Sequence, residues 1–308
     1  MAPDPAFIRK RSLLASASAI LIVVAFVTAV SLLTWRAERE RHVAYLQTLA
    51  AFGERSLDSF LSQTVSALAM LAEEVREHDE MGVPGASLER FQEFRKLFPA
   101  LSALTLIRPD GQLMTSTTAK DQGRLPSFAA ERDFQDSMAD FAHGRAFSIT
   151  RPFVGRLSGQ WLFSIRFAER DAAGRVLFVV AGAVPISRAQ DFWSTGALAE
   201  GTSLGVVRDD GYLLARHPPP AGMSPDSLFG DRRAGSLYQH LREQGFPREG
   251  VVTGISSSTG KNNLTVFRRF EHFPLTFRAS TPYSAVWSAW LAIVLPLYGV
   301  IAVFLFAL

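Results

Sequence analysis

The residues in this chain best suited to hold a small molecule are Arg151, Trp161, Ser164 and Arg166, on two consecutive stretches with strand patterning, together with Arg132 and Asp133 at the start of a predicted helix. Recognition in a sheet-bounded cavity needs a few fixed polar groups converging on apolar surface. Guanidinium groups that face such a cavity favour a carboxylate or phosphate through bidentate hydrogen bonds, so an anionic ligand is expected. Trp161 and Arg166 fall on opposite faces of their strand unless a bulge intervenes. Arg132, just before Phe134, is expected to reach the same cavity. The plainer alternative for each arginine is a solvated strand face or a salt bridge to Glu131 or Asp133.

Other chemistries find little support. The histidines at 42, 78, 143, 217, 240 and 272 show no ligand spacing and no carboxylate at a set interval, so no metal is expected and His217 reads as a strand-end contact. Asp110 and Asp210 precede glycines and read as turn formers. Gly155-Arg-Leu-Ser-Gly159 lacks the lysine and the strand-to-helix setting of a phosphate loop and reads as a hairpin. Ser256-Ser-Ser-Thr-Gly260 is a loop with no histidine to activate a serine. With no cysteine, disulfides, thiolate metal sites and cysteine nucleophiles are excluded together. No catalytic motif and no cofactor site is expected.

These residues need elements to position them, and the longest is a helix over Ala37 to His78. Its seam, Leu46, Ala50, Gly53, Leu57, Leu61, Thr64, Leu68, Leu71 and Val75, alternates by fours and threes, while most charges take the other side. Gly53 is the flaw, read as a kink or a close helix contact. The helix begins where an uncharged run from Ser12 to Trp35 ends, so membrane span and soluble helix are expected to form one rod. That run is too long for a signal-peptide core, although Ala29-Val30-Ser31 weakly resembles a cleavage triplet. Arg9, Lys10 and Arg11 ahead of it favour a cytoplasmic N-terminus. A second uncharged stretch over Ala285 to Leu308, with Trp287 and Trp290 at its start and Pro296 expected to kink it, is the other candidate span. The chain stops as that span ends, and a continuation beyond it is expected.

Between the spans the pattern occurs twice. Leu104-Thr-Leu-Ile-Arg108-Pro-Asp110-Gly111-Gln-Leu113 lies on Leu204-Gly-Val-Val-Arg208-Asp-Asp210-Gly211-Tyr-Leu213 with five identities in ten positions. A turn at Met81 to Gly85 and a short helix from Ser87 to Phe98 precede the first copy. Strands at 101–107 and 112–117, a helix at 129–143 and strands at 146–153, 160–169 and 175–186 complete it. The second copy continues with a helix at 237–244 and strands at 251–256, 263–269 and 275–281. The expected fold is α+β: a long N-terminal helix followed by two antiparallel-sheet modules, at 81–190 and 191–282, flanked by transmembrane helices at 12–35 and 283–308. The composition, 48% hydrophobic and 20% charged over 308 residues, suits folded modules plus spans. Net charge is +3 with scattered arginines, so no nucleic-acid footprint is present.

The pattern resembles the double Cache family of extracytoplasmic sensor domains, which have PAS-like modules. Glu131-Arg132-Asp133-Phe134, Ile149-Thr-Arg151-Pro152-Phe153-Val-Gly155, Gly159-Gln-Trp161 and Asp209-Asp-Gly-Tyr-Leu-Leu-Ala-Arg216-His217-Pro218 look most like versions attached to diguanylate cyclases. The aromatic and arginine string of amino-acid-binding members is not evident around Arg151 to Trp161, which counts against an amino-acid ligand. The resemblance implies a bacterial inner-membrane receptor, a homodimer through helix and spans, with residues 36–282 periplasmic and both ends cytoplasmic. It implies a small molecule bound in the membrane-distal module and a cytoplasmic effector beyond this chain, a diguanylate cyclase or phosphodiesterase first and a histidine kinase next. A periplasmic scaffold that binds a partner chain, or an envelope hydrolase, are the alternatives from other classes.

Overall fold

The computed structural model describes residues 5–78, 85–189 and 198–307. Most of the turn expected at 81–85 and the expected module boundary at 190/191 lie outside the described residues. Helix α1 runs Pro5–Glu77 without interruption. Every seam position from Leu46 to Val75 is buried. The seam packs on sheets of its own chain, in one core shared by both modules, so α1 is a spine for the two of them. A homodimer would therefore have to use another face of α1. Gly53 is neither kink nor helix contact but a close approach to a strand. A Cβ there would stand 2.1 Å from Cζ of Phe277, so only glycine lets the sheet come this near.

The first module comprises α2 (Leu88–Leu97), β1 (Ala103–Ile107), β2 (Leu113–Ser116), α3 (Arg132–Ala142), β3 (Phe147–Ile149), β4 (Phe153–Val154), β5 (Trp161–Arg170), β6 (Val176–Pro185) and α4 (Ile186–Ala189). The second comprises β7 (Ser203–Arg208), β8 (Leu213–His217), α5 (Pro225–Phe229), α6 (Ser236–Glu243), β9 (Glu249–Ile255), β10 (Asn262–Arg269) and β11 (Leu275–Pro282). Their antiparallel sheets have matching orders, β2-β1-β6-β5-β3 and β8-β7-β11-β10-β9, with β4 also pairing β5. The single strand expected over 146–153 is split at Thr150-Arg151-Pro152. Pro152 has no N–H to give the ladder, and the hydroxyl of Thr150 instead accepts from the Ser164 N–H.

The repeated segment folds the same way twice. In each copy Gly111 or Gly211, at φ 86° and 91°, closes a turn onto Arg108 or Arg208. The arginine then pairs with the turn aspartate, Arg108 with Asp110 at 2.8 Å and Arg208 with Asp210 at 3.0 Å. One face of each sheet lies on α1. The opposite face of the first is covered by α3, whose Phe134 and Phe141 pack on Ile107, Ala168, Val179 and Ala181.

Strand β11 ends at Pro282 and helix α7 (Tyr283–Ala307) begins at the next residue, so the second module is the one beside the candidate span. Both α1 and α7 contain stretches long and apolar enough to cross a membrane. α7 continues through Pro296. Where α1 and α7 meet, Trp35 packs edge-on against Tyr283, Trp287 and Trp290, at centroid distances of 5.8, 5.4 and 5.8 Å. The indole N–H of Trp290 donates to Thr34 Oγ1 at 3.1 Å, which ties the helices together at that level.

Candidate functional site

Successive residues of β5 point to opposite faces. Phe163 and Ile165 join the core against α1, while Ser164, Arg166 and Ala168 face α3. The ladder is regular from Leu162 to Glu169, so Trp161 and Arg166 do lie on opposite faces.

Arg166 is the largest fully buried side chain in this module, at 2% exposure. Its guanidinium is tied to the Asp133 carboxylate, donates to the Asp133 carbonyl at 2.8 Å and donates to Ser137 Oγ at 3.1 Å. The rings of Phe134 and Phe153 lie 5.7 and 6.0 Å from it. Burial pushes the guanidinium below its ordinary pKa, and the Asp133 charge pulls it back. The geometry is a buried ion pair with extra hydrogen bonds, the form in which a buried charge is tolerable. Arg166 Nε remains buried without a hydrogen bond.

Ser164 shares this face, its hydroxyl donating to the Gly182 carbonyl at 3.2 Å. The other four expected site residues divide differently. Asp133 is the counter-ion just described. Arg132, expected to reach the same cavity, instead lies on the exposed side of α3, because one helical step from Asp133 turns it outward. Arg151 is not on a strand; it stands 3.8 Å from Asp136 and 5.8 Å above the ring of Tyr212 in the second module. Trp161 also reaches the second module, donating its indole N–H to Asp226 at 2.9 Å and packing against Phe229. The structure thus brings Asp133, Ser164 and Arg166 together under α3 and places Arg151 and Trp161 at the junction between modules.

Between the modules lies a cleft of about 520 Å³, which no motif in the sequence marks. Asp140, Arg145 and Ser148 line it from one side and Arg208, Asp209 and Arg269 from the other. Most of its charges are paired with one another, Arg269 with Asp209 at 2.5 Å, Arg145 with Asp140 at 2.8 Å and Arg208 with Asp210 at 3.0 Å. Arg208 bridges the modules through the Ile149 carbonyl. The repeat supplied a signal for Arg208, but Arg269 becomes its neighbour only through the β-ladder.

No protein-family model and no curated protein sequence matches this chain. Its fold does match solved structures. One is the extracellular domain of a protein described as a histidine kinase, rpHK1S-Z16, with TM-score 0.62 and 21% identity over 82% of this chain and 98% of that one. Another is the ligand-binding domain of the Pseudomonas fluorescens chemoreceptor CtaA in complex with L-serine, with TM-score 0.57 and 17% identity over 80% of this chain and 99% of that one. A third is the ligand-binding domain of the Pseudomonas aeruginosa PAO1 amino-acid chemoreceptor PctB in complex with L-Arg, with TM-score 0.56 and 17% identity over 79% and 95%. The fold of this chain is shared with sensory domains. At these identities the likeness speaks for architecture, and function has to be argued from the site.

Proposed function

We propose that this chain is the input region of a bacterial transmembrane receptor of the double Cache type. In this reading residues 36–282 stand in the periplasm, both ends are cytoplasmic, and a small molecule, an anion by preference, binds outside the membrane. The site for it is the face under α3, where Arg166 retains an unused donor beside Asp133. An anion competing with Asp133 for Arg166 would loosen α3 from the sheet. Because differential binding to two arrangements is what shifts an equilibrium, that exchange is a source of signal.

The observation that carries the reading is mechanical. Both sheets rest on the seam of one helix that continues into an apolar span, and β11 passes directly into the second such helix. A displacement in either sheet reaches the Trp35 cluster with no flexible linker between. The effector beyond Leu308 is read as a diguanylate cyclase or phosphodiesterase, with a histidine kinase as the next choice. The aromatic and arginine string of amino-acid-binding members is not evident around Arg151 to Trp161, so the amino acids bound by the chemoreceptors are not carried over.

The topology is directly testable because the chain has no cysteine. Single exposed cysteines, Lys120→Cys and Lys261→Cys, are introduced into the full chain and treated in intact cells with a maleimide that penetrates the outer but not the inner membrane. Labelling of both before lysis is expected. Labelling only after lysis would end the receptor reading.

A further inference from the structure

The second module carries its own buried arginines, on the sheet face turned away from α1. Across the ladder, Arg216, Gly205 and Arg278 are direct neighbours on β8, β7 and β11. Cross-strand partners project from the same face. The missing side chain of Gly205 leaves the space into which Arg278 reaches, since a Cβ there would stand 3.3 Å from both its Nε and Nη2. Arg216 and Arg278 are only 4% and 7% exposed.

What surrounds Arg278 differs from what surrounds Arg166. The hydrogen bond that holds it is from Nη1 to Ser280 Oγ at 3.0 Å, and Ser280 Oγ is in turn 2.8 Å from Thr265 Oγ1. Among the described residues no carboxylate stands at ion-pair distance from Arg278. Burial, and then the positive charge of Arg216, push it down to about 9, so it still carries its proton at neutral pH. Arg216 is held to Ser258 Oγ and the Pro218 carbonyl. A buried cation whose nearest charged neighbour is another cation is costly unless an anion shares the site.

Arg278 borders a cavity of about 50 Å³, several times the roughly 10–15 Å³ that a single water needs. Part of its wall is polar, with Ser256, Ser258, Thr265 and Ser280 offering hydroxyls. Asn263 also lines it, and its amide oxygen is buried without a partner. Oxygen and nitrogen of an amide are interchangeable by a flip, so the same side chain can present an N–H donor. Val207, Leu213, Leu237, Val252 and Ile255 supply its apolar side, and Arg233 and Tyr238 also border it.

We propose that the second module binds a short-chain carboxylate in this cavity, its two oxygens held by Arg278, Asn263 and the hydroxyls, and its alkyl stub against the aliphatic wall. The divided wall selects the carboxylate over phosphate or sulfate, whose polar oxygens on every side would be left facing valine and leucine. This site lies beyond the one under α3 and does not depend on it or on the membrane topology. Its occupancy bears on β11, the strand that enters α7.

The test uses the full chain in lipid nanodiscs, with thermal unfolding and calorimetric titration against sodium acetate and sodium propionate, and sodium phosphate, sulfate and chloride at equal ionic strength. Acetate or propionate is expected to raise the melting temperature above the chloride control and phosphate is not. Arg278→Met should weaken carboxylate binding by about tenfold or more while leaving the ligand-free protein folded, because it removes the buried charge. Asn263→Leu, which keeps both arginines, should weaken it as well. An equal response in wild type and Arg278→Met, a response to phosphate or sulfate as large as to acetate, or no response to either carboxylate would each overturn the proposal.

Discussion

The two modules answer the same problem, a buried arginine on the outer face of a sheet, in opposite ways. In the first, the ladder row reads Ser116, Thr105, Ala181, Arg166 and Ser148, and α3 lays Asp133 and Ser137 over the guanidinium. In the second, the corresponding row reads Arg216, Gly205, Arg278, Phe267 and Gly250. Phe267 stands where Arg166 does, with its ring over Gly250, and the cations have moved one and three strands along. No acidic residue of α6 replaces Asp133; the helix brings Leu237 and Tyr238 instead. A shared backbone order therefore says little about where charge is neutralised. The first module carries its own anion for Arg166, whereas Arg278 in the second is held by the Ser280 hydroxyl.

The largest expected effect comes from breaking the internal pair. Asp133→Ala leaves Arg166 buried without its counter-ion and should cost about 3–5 kcal/mol, read as a lowered denaturation midpoint in urea. Arg278→Met, which removes a charge lacking such a partner, should be neutral or stabilising in the same assay. If the two changes cost the same, the contrast between modules fails.

A second comparison concerns how closely each sheet meets α1. Gly53→Val drives a side chain into the Phe277 ring and should destabilise by about 1–3 kcal/mol or more. Val at Ala51, partly exposed on the same helix, should cost under about 0.5 kcal/mol. Thermal unfolding of both variants checks this.

A smaller effect is expected at the junction. Trp161→Phe keeps most of the packing on Phe229 but removes the hydrogen bond to Asp226, at about 1 kcal/mol. Asp226→Ala should cost a similar amount, and the double variant less than the sum of the two single changes.

The smallest effect is a pH dependence on the α1 face beside the second module. Burial first, and then the nearby Glu54 charge, raise the Asp58 pKa. A carboxylate with a raised folded pKa favours the folded state when protonated, and that benefit fades as pH rises through the folded pKa. Asp58→Asn should therefore stabilise only slightly at pH 7, because the solvent that reaches this side chain screens its charge. The difference should vanish below the ordinary aspartate pKa, as melting curves across pH 3 to 8 would show.

Much of the architecture was legible because it follows from periodicity. The fours and threes from Leu46 to Val75 named the buried face of α1 residue by residue, and the Arg-x-Asp-Gly copies at 108–111 and 208–211 marked both hairpins. Helix α5 was missed because Pro225–Phe229 is too short to show a period. Residue type alone marks Asp133 and Arg166 as candidates, and a salt bridge between them is the plainer alternative that the structure shows. Strand patterning directs Arg151 and Trp161 to the same cavity, but the break at Pro152 and the neighbouring module turn both to the junction.

By itself the sequence determined the elements, the duplication and the two apolar stretches, because each depends on spacing along the chain. Only the tertiary structure decided which cations meet an anion. That depends on which helix covers which sheet row, and Gly205, Arg216 and Arg278 lie far apart along the chain yet adjacent across three strands. Coulomb energies and desolvation follow distance in space, so the electrostatic difference between the modules emerges only once the ladders are in register.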